Sequence, residues 1–214
     1  MRRYMVLNAK GGVGKSTIAT SIAAYFASQW ENVNVTLADF DPQQSSMDWL
    51  SLRPPERPAI TGINAYRDGL KGLSPATDFL VMDARASTHG PDLTALIRHA
   101  ETILIPVLPS TVDMKACTRF IEELQKVGRV ERKEVKIAVI ANRVRETYSV
   151  FGELQEYLDT LKIPCLGHLR DAQNYVRAYT RGLGIHELPP YLAWPDWEQW
   201  EPIVKWLESK RSQP

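Results

Sequence analysis

The residues with the clearest chemistry run Ala9-Lys10-Gly11-Gly12-Val13-Gly14-Lys15-Ser16-Thr17. A short apolar segment, residues 4–8, precedes them. A stretch with apolar residues at helical spacing (Ile18, Ile22, Tyr25, Phe26) follows at once. Strand, glycine-rich loop and helix in that order let several backbone N–H groups converge on phosphate oxygens. Glycine makes the curl possible because it has no Cβ to clash. The start of the helix adds the positive end of a dipole. Lys15 brings a point charge to the β- and γ-phosphates, and the Ser16 hydroxyl is of a kind that ligates Mg²⁺. Gly11, Gly12, Val13, Gly14 and Thr17 complete the phosphate-binding set. A second segment, Phe79–Asp83, is an apolar run ending in a carboxylate, which suits Asp83 to hold Mg²⁺ through water.

The loop departs from the general GxxxxGK[ST] pattern twice. Ala9 stands where the first glycine is expected, and Lys10 is an additional cation. Together these features resemble the deviant Walker A loop of the ParA/MinD superfamily of ATPases. The resemblance implies ATP and Mg²⁺. It also implies that Lys10 reaches across a dimer interface to the partner's nucleotide, so that two subunits sandwich ATP.

Other segments extend the likeness over roughly residues 1–190. Asp39-Phe40-Asp41-Pro42-Gln43 is similar to the family's DxDPQ element. By that resemblance Asp41 positions or activates the attacking water, and Asp39 lies nearer the metal's water shell with Ser16 and Asp83. Lys10, Lys15 and Asp41 then form the catalytic group. Residues 102–107, continuing as Leu108-Pro109-Ser110-Thr111-Val112-Asp113, resemble the family's IPV-x-PS segment, which lines the nucleotide-side dimer face. The strand ending in Asn142-Arg143 resembles the family's strand with the same ending. An amide can hydrogen-bond the adenine edge in both directions, which assigns Asn142 to the base. After Asp83 the pattern breaks. Ala84-Arg85-Ala86-Ser87-Thr88 replaces the usual small and proline residues. Arg85 there either stabilises phosphate charge or pairs with a surface acid.

These side chains need a frame that holds several strand ends together. Short apolar runs at residues 33–39, 79–83, 102–107, 135–141 and, more weakly, 164–169 alternate with helical patterns near residues 43–52, 91–99, 112–127 and 147–160. Alternation of this kind predicts an α/β fold: a doubly wound, mostly parallel sheet with helices on both faces. Near-continuous apolar strands fit burial on both sides. No repeat or dividing linker is visible, so a single ATPase domain over residues 1–214 is expected.

Composition sets outer limits. The chain has 214 residues, 44% hydrophobic and 24% charged, which excludes a disordered or collagen-like polymer. Cys117 and Cys165 stand far apart with no CxxC pair, so a disulfide scaffold or zinc ribbon is not expected; two buried thiols in a reducing cytoplasm are. No stretch of 18 apolar residues exists, and the short N-terminal apolar run does not suit a signal peptide. The Trp-rich segment from Asp196 to Pro214 is amphipathic, with Trp197, Trp200, Val204 and Leu207 on one face. It reads as a last helix closing over the sheet or as an interfacial helix. Its four acids and three bases disfavour anionic lipid, so a membrane is not the expected partner.

Net charge is only +1, so any nucleic-acid binding needs a local patch. Residues 129–146 hold six bases and three acids. Residues 162–182 hold Lys162, Arg170, Arg177 and Arg181 against Asp171 alone. Small ParA proteins, the ParF-like branch among them, bind DNA without sequence preference as ATP dimers. The resemblance therefore implies a cytoplasmic, nucleoid-associated ATPase that segregates a plasmid or positions other cargo. Lys162, Arg177 and Arg181 are the expected DNA contacts, and a ParB- or ParG-like protein or cargo adaptor the stimulating partner. Two alternatives stay open: a MinD-like membrane-associated positioning ATPase, and a nucleotide-dependent scaffold with little turnover.

Overall fold

The computed structural model describes residues 1–145 and 148–214. Glu146, the end of the first basic stretch, and Thr147, the expected helix start, lie outside the described residues. The strands are β1 (Arg2–Val6), β2 (Val35–Asp39), β3 (Thr61–Asn64), β4 (Phe79–Asp83), β5 (Thr102–Val107), β6 (Lys136–Val144) and β7 (Cys165–Arg170). They pair in parallel in the order β3-β2-β4-β1-β5-β6-β7. The helices are α1 (Lys15–Gln29), α2 (Ser45–Ser51), α3 (Ala65–Asp68), α4 (Gly90–Ile97), α5 (Thr111–Gln125), α6 (Gly128–Glu131), α7 (Tyr148–Thr160), α8 (Gln173–Tyr179) and α9 (Pro190–Glu208). The expected parallel α/β architecture is what the chain adopts.

Period-two alternation along β1 divides the core. Tyr4 and Val6 join Leu37, Val81, Ile18, Ile22 and Phe26 on one face, where α1 and α9 cover the sheet. Met5 and Leu7 join Leu80, Met82, Leu93, Ile97, Phe120 and Leu124 on the other, under α4 and α5. Successive side chains of a strand point to opposite faces, so an uninterrupted apolar run is what a sheet covered twice requires.

The chain leaves β1 toward β2 on one side of the sheet and later returns to place β5 on the other side of β1. That reversal opens a crevice at the carboxyl ends of the strands, where doubly wound sheets bind ligands. Register brings the acids there together: Asp39 and Asp83 are Cα partners, and Asp83 is also opposite Val6, just before the glycine-rich loop.

Several elements differ from the sequence expectation, the short helices α3, α6 and α8 among them. The edge strand β3 was not anticipated, because its four residues are half exposed and follow a proline-dense loop. Helix α9 begins at Pro190, earlier than the Trp-rich face suggested, and carries Pro195 and Pro202 inside it. Its apolar face is turned inward. Trp200, Val204 and Leu207 are buried in the core and Trp197 is packed against it. The Trp200 indole donates to the Tyr175 hydroxyl at 3.1 Å, and the Tyr4 hydroxyl donates to the Leu207 carbonyl at 3.0 Å. The helix therefore closes over the sheet, and no described helix is long and apolar enough to cross a membrane. Gly184 allows the preceding turn to press onto α1, since a Cβ there would lie 2.5 Å from the Ala24 Cβ. One cysteine expectation is corrected: Cys117 is buried, but Cys165, at the start of the edge strand β7, is exposed.

Candidate nucleotide-binding site

Between β1 and α1 the backbone curls with φ +74° at Gly12 and φ +91° at Gly14. Side-chain-bearing residues rarely adopt such values. Gly14 also has no room for a side chain, because a Cβ would stand 2.3 Å from Asn142 Nδ2. No side chain caps the start of α1, so its first-turn N–H groups remain available to an anion. The Lys15 ammonium curls back over the loop, donating to the Lys10 carbonyl at 3.1 Å. Burial lowers its pKa, while Asp83 and Asp41 nearby favour its charged form. A cavity of about 1100 Å³ opens over the loop. Gly11, Gly12, Gly14, Lys15, Ser16, Thr17, Asp41, Arg85 and Asn142 line it, and Tyr175, Val176 and Tyr179 of α8 close its far side.

The three aspartates have different surroundings. Asp83 is buried, with a pKa pushed up to about 7, chiefly by burial; the Ser16 and Ser46 hydroxyls and Lys15 oppose that rise. Ser46 Oγ donates to Asp83 Oδ2 at 2.6 Å, whereas Oδ1 is buried without a well-formed hydrogen bond. Among the described residues that oxygen has no well-formed bond, and with the Ser16 hydroxyl it offers two oxygens of the kind a hard cation takes, while the Lys15 ammonium is left for phosphate. Asp39 is fully buried, and its oxygens face backbone amides: Oδ1 accepts from Asp41 N at 2.9 Å, and Oδ2 accepts from Ser46 N at 2.9 Å and Met47 N at 3.3 Å. Burial raises its pKa, and those three amides work against the rise. Asp39 thus shapes the turn and holds the start of α2, whereas the sequence reading set it in the metal's water shell. Asp41 is partly exposed, lines the cavity and accepts from Gln43 N at 2.9 Å, which fixes the turn that carries it.

The remaining expected residues are placed as follows. Lys10 forms an ion pair with Asp113 of its own chain, at the start of α5. Asn142 is buried and donates from Nδ2 to the Val13 carbonyl at 2.8 Å, bracing the loop and leaving its other N–H and its Oδ1 for further bonds. Arg85 pairs with Asp92. Lys162, Arg177 and Arg181 are exposed, but Lys162 precedes β7 whereas the other two follow it, so the strand lies between them. Much of the first basic stretch is used internally. Arg129 Nη1 donates to the carbonyls of Ile97, Arg98 and Ala100 at the end of α4. Arg143 and Arg145 share Asp171.

Sequence reasoning missed Ser46 and the α8 wall. Ser46 has no motif signal of its own, being merely the second of two adjacent serines at the start of a short helix. The α8 wall could have been found by treating the residues after every parallel strand as ligand-facing.

Comparison with known proteins agrees with this geometry. A family model described as the CobQ/CobB/MinD/ParA nucleotide binding domain matches residues 4–185. The maintenance of carboxysome distribution protein A of Halothiobacillus neapolitanus is 30% identical over 190 residues, covering 86% of each chain. The structure of apo McdA from Cyanothece superposes with a TM-score of 0.77 at 19% identity, covering 97% of this chain and 99% of that one. An ATP complex of a variant of Cyanothece McdA gives a TM-score of 0.73 at 17% identity, covering 95% and 96%.

Proposed function

The chain belongs to the CobQ/CobB/MinD/ParA nucleotide-binding family, and from that premise we propose that it is an ATPase that positions intracellular cargo, built as one domain over residues 1–214. The observation that carries the reading is the meeting of Lys15, Ser16 and Asp41 around one large cavity, with the buried Asp83 carboxyl beside Lys15 and Ser16. The 30% identical relative, named for maintaining carboxysome distribution, supports cargo positioning as the task.

Each side chain has a stated part. The loop amides and Lys15 bind the phosphates, and Ser16 with Asp83 holds Mg²⁺, which when bound neutralises phosphate charge. Asp41 orients the water for in-line attack on the γ-phosphate. Asn142 uses its remaining amide groups on adenine. Lys10 exchanges Asp113 for the partner subunit's nucleotide when two chains close around ATP. The ATP dimer binds DNA without sequence preference through exposed cations including Lys162, Arg177 and Arg181, which gives a nucleoid-associated, cytoplasmic protein. An adaptor of the ParB or ParG kind, or one on the cargo, stimulates hydrolysis and release. With the apolar face of α9 inside the core, the DNA reading is favoured over the membrane one.

The test is binding to a random-sequence duplex with ATP, ADP or no nucleotide across a salt series, with oligomeric state followed by light scattering. ATP-only binding is expected, with log affinity falling by about 0.9 per log salt for each phosphate contact. Lys10→Ala should keep monomer nucleotide binding and lose the dimer. Equal DNA binding in all three states, or none in any, overturns the DNA assignment.

A further inference from the structure

We propose that Arg85 is a γ-phosphate-recognising side chain of the nucleotide site, held away from it by Asp92 until a triphosphate arrives. The inference rests on the nucleotide-site reading above and goes beyond it, since it assigns selectivity for triphosphate over diphosphate to a residue in the stretch that breaks the expected pattern.

The backbone carrying Arg85 is fixed against the phosphate loop. Ala84 N donates to the Val6 carbonyl at 3.1 Å and Ser87 N donates to the Ala9 carbonyl at 2.7 Å. Ala86 Cβ lies 3.9 Å from where a Gly11 Cβ would be. Ser87 turns the chain with φ +54°, and Thr88 Oγ1 donates to the Arg85 carbonyl at 3.2 Å. A residue so anchored can swing its side chain without moving its Cα.

Three arginines line the cavity, and they differ in how firmly they are held. Arg170 makes bonds of 2.6 and 3.0 Å to the two oxygens of Asp196, which is fully buried. Arg143 shares the partly buried Asp171 with Arg145. Arg85 is 38% exposed, and its partner Asp92 is 68% exposed. Solvent screens such a pair, so its contribution is small and a multiply charged phosphate competes with it readily. Both members also line a smaller cavity of about 270 Å³, together with Phe40, Tyr66 and His99. A guanidinium presents a planar fork that a terminal phosphate, with three free oxygens, satisfies better than an exposed carboxylate.

The experiment measures affinity by titration calorimetry for AMP-PNP and ADP, each with Mg²⁺, in the wild-type chain and in Arg85→Ala, Asp92→Asn and Lys15→Ala. Arg85→Ala should lose about tenfold or more in AMP-PNP affinity, with ADP affinity within about twofold. Asp92→Asn should raise AMP-PNP affinity selectively, by roughly two- to fivefold, because the competing partner is gone. An unchanged AMP-PNP to ADP ratio in Arg85→Ala overturns the recognition role, and an unchanged ratio in Asp92→Asn overturns the holding role. Lys15→Ala separates the two levels. If that variant binds both nucleotides normally, the nucleotide-site reading itself fails. If it binds neither while Arg85→Ala keeps the wild-type ratio, only the present proposal fails.

Discussion

Replacing Asp83 by Asn should make the nucleotide-free protein more stable at alkaline pH while weakening its hold on Mg²⁺-nucleotide. The carboxyl is buried, one oxygen has no well-formed hydrogen bond, and its pKa stands at about 7 against 3.8 for an ordinary aspartate. A folded state that binds the proton more tightly than the unfolded chain loses stability as pH rises from the unfolded pKa to the folded one. For these two values the loss, relative to strong acid, is roughly 2 kcal/mol at pH 5 and roughly 4 kcal/mol at pH 8. Asn keeps the shape and can still accept from Ser46, but it has no charge to desolvate. Urea unfolding of both proteins at pH 5 and pH 8, without nucleotide or metal, tests this. The wild type should lose about 2–3 kcal/mol more than Asp83→Asn between the two pH values. Comparing the two slopes cancels the titrating groups that do not interact with Asp83; Asp39 and Lys15 do interact with it, so the difference reads Asp83 together with its coupling to them. Equal slopes would refute the reasoning, since Asp83 would then ionise in the fold at no cost.

Other outcomes follow from the same geometry. Gly14→Ala should abolish nucleotide binding as read by calorimetry, because φ is +91° there and the new Cβ would meet Asn142 Nδ2 at 2.3 Å. Arg53 grips Glu187 through two hydrogen bonds of 2.9 and 2.8 Å with both side chains nearly inaccessible, so Glu187→Ala should cost about 3–5 kcal/mol in urea unfolding. Burial is the largest influence on Glu187 and raises its pKa, but Arg53, Gly184 N–H and Ser28 together leave it lowered. Its stabilising contribution is therefore present above the ordinary glutamate range and should fade as pH falls below it, a trend the Glu187→Ala protein lacks. Trp200→Ala, which empties the core beneath α9, should cost about 3–5 kcal/mol and lower the thermal midpoint.

Much of the site was legible in the residues because its chemistry is local. A phosphate loop is a run of neighbours, so glycine spacing, Lys15 and Ser16 carry their meaning without any distant contact. Apolar runs ending in acids located Asp39, Asp41 and Asp83 at strand ends for the same reason. Local residue order is therefore enough for the parallel α/β architecture, the phosphate loop and the family resemblance. The tertiary structure alone decided how equivalent-looking groups divide the work. Asp39 and Asp83 both end strands, yet α2 turns its amides onto the first and leaves an oxygen of the second without a partner. The basic stretches look alike in charge, but Arg129 holds the end of α4 and the exposed Arg143 shares Asp171, while the exposed Arg177 bonds Asn174 within its own helix. The tryptophans of α9 look alike in sequence, yet packing buries Trp200, sets Trp197 and Trp206 against the core and leaves Trp194 exposed. Each of these outcomes depends on which groups distant in sequence become neighbours, and burial and hydrogen-bond partners are properties of those neighbours.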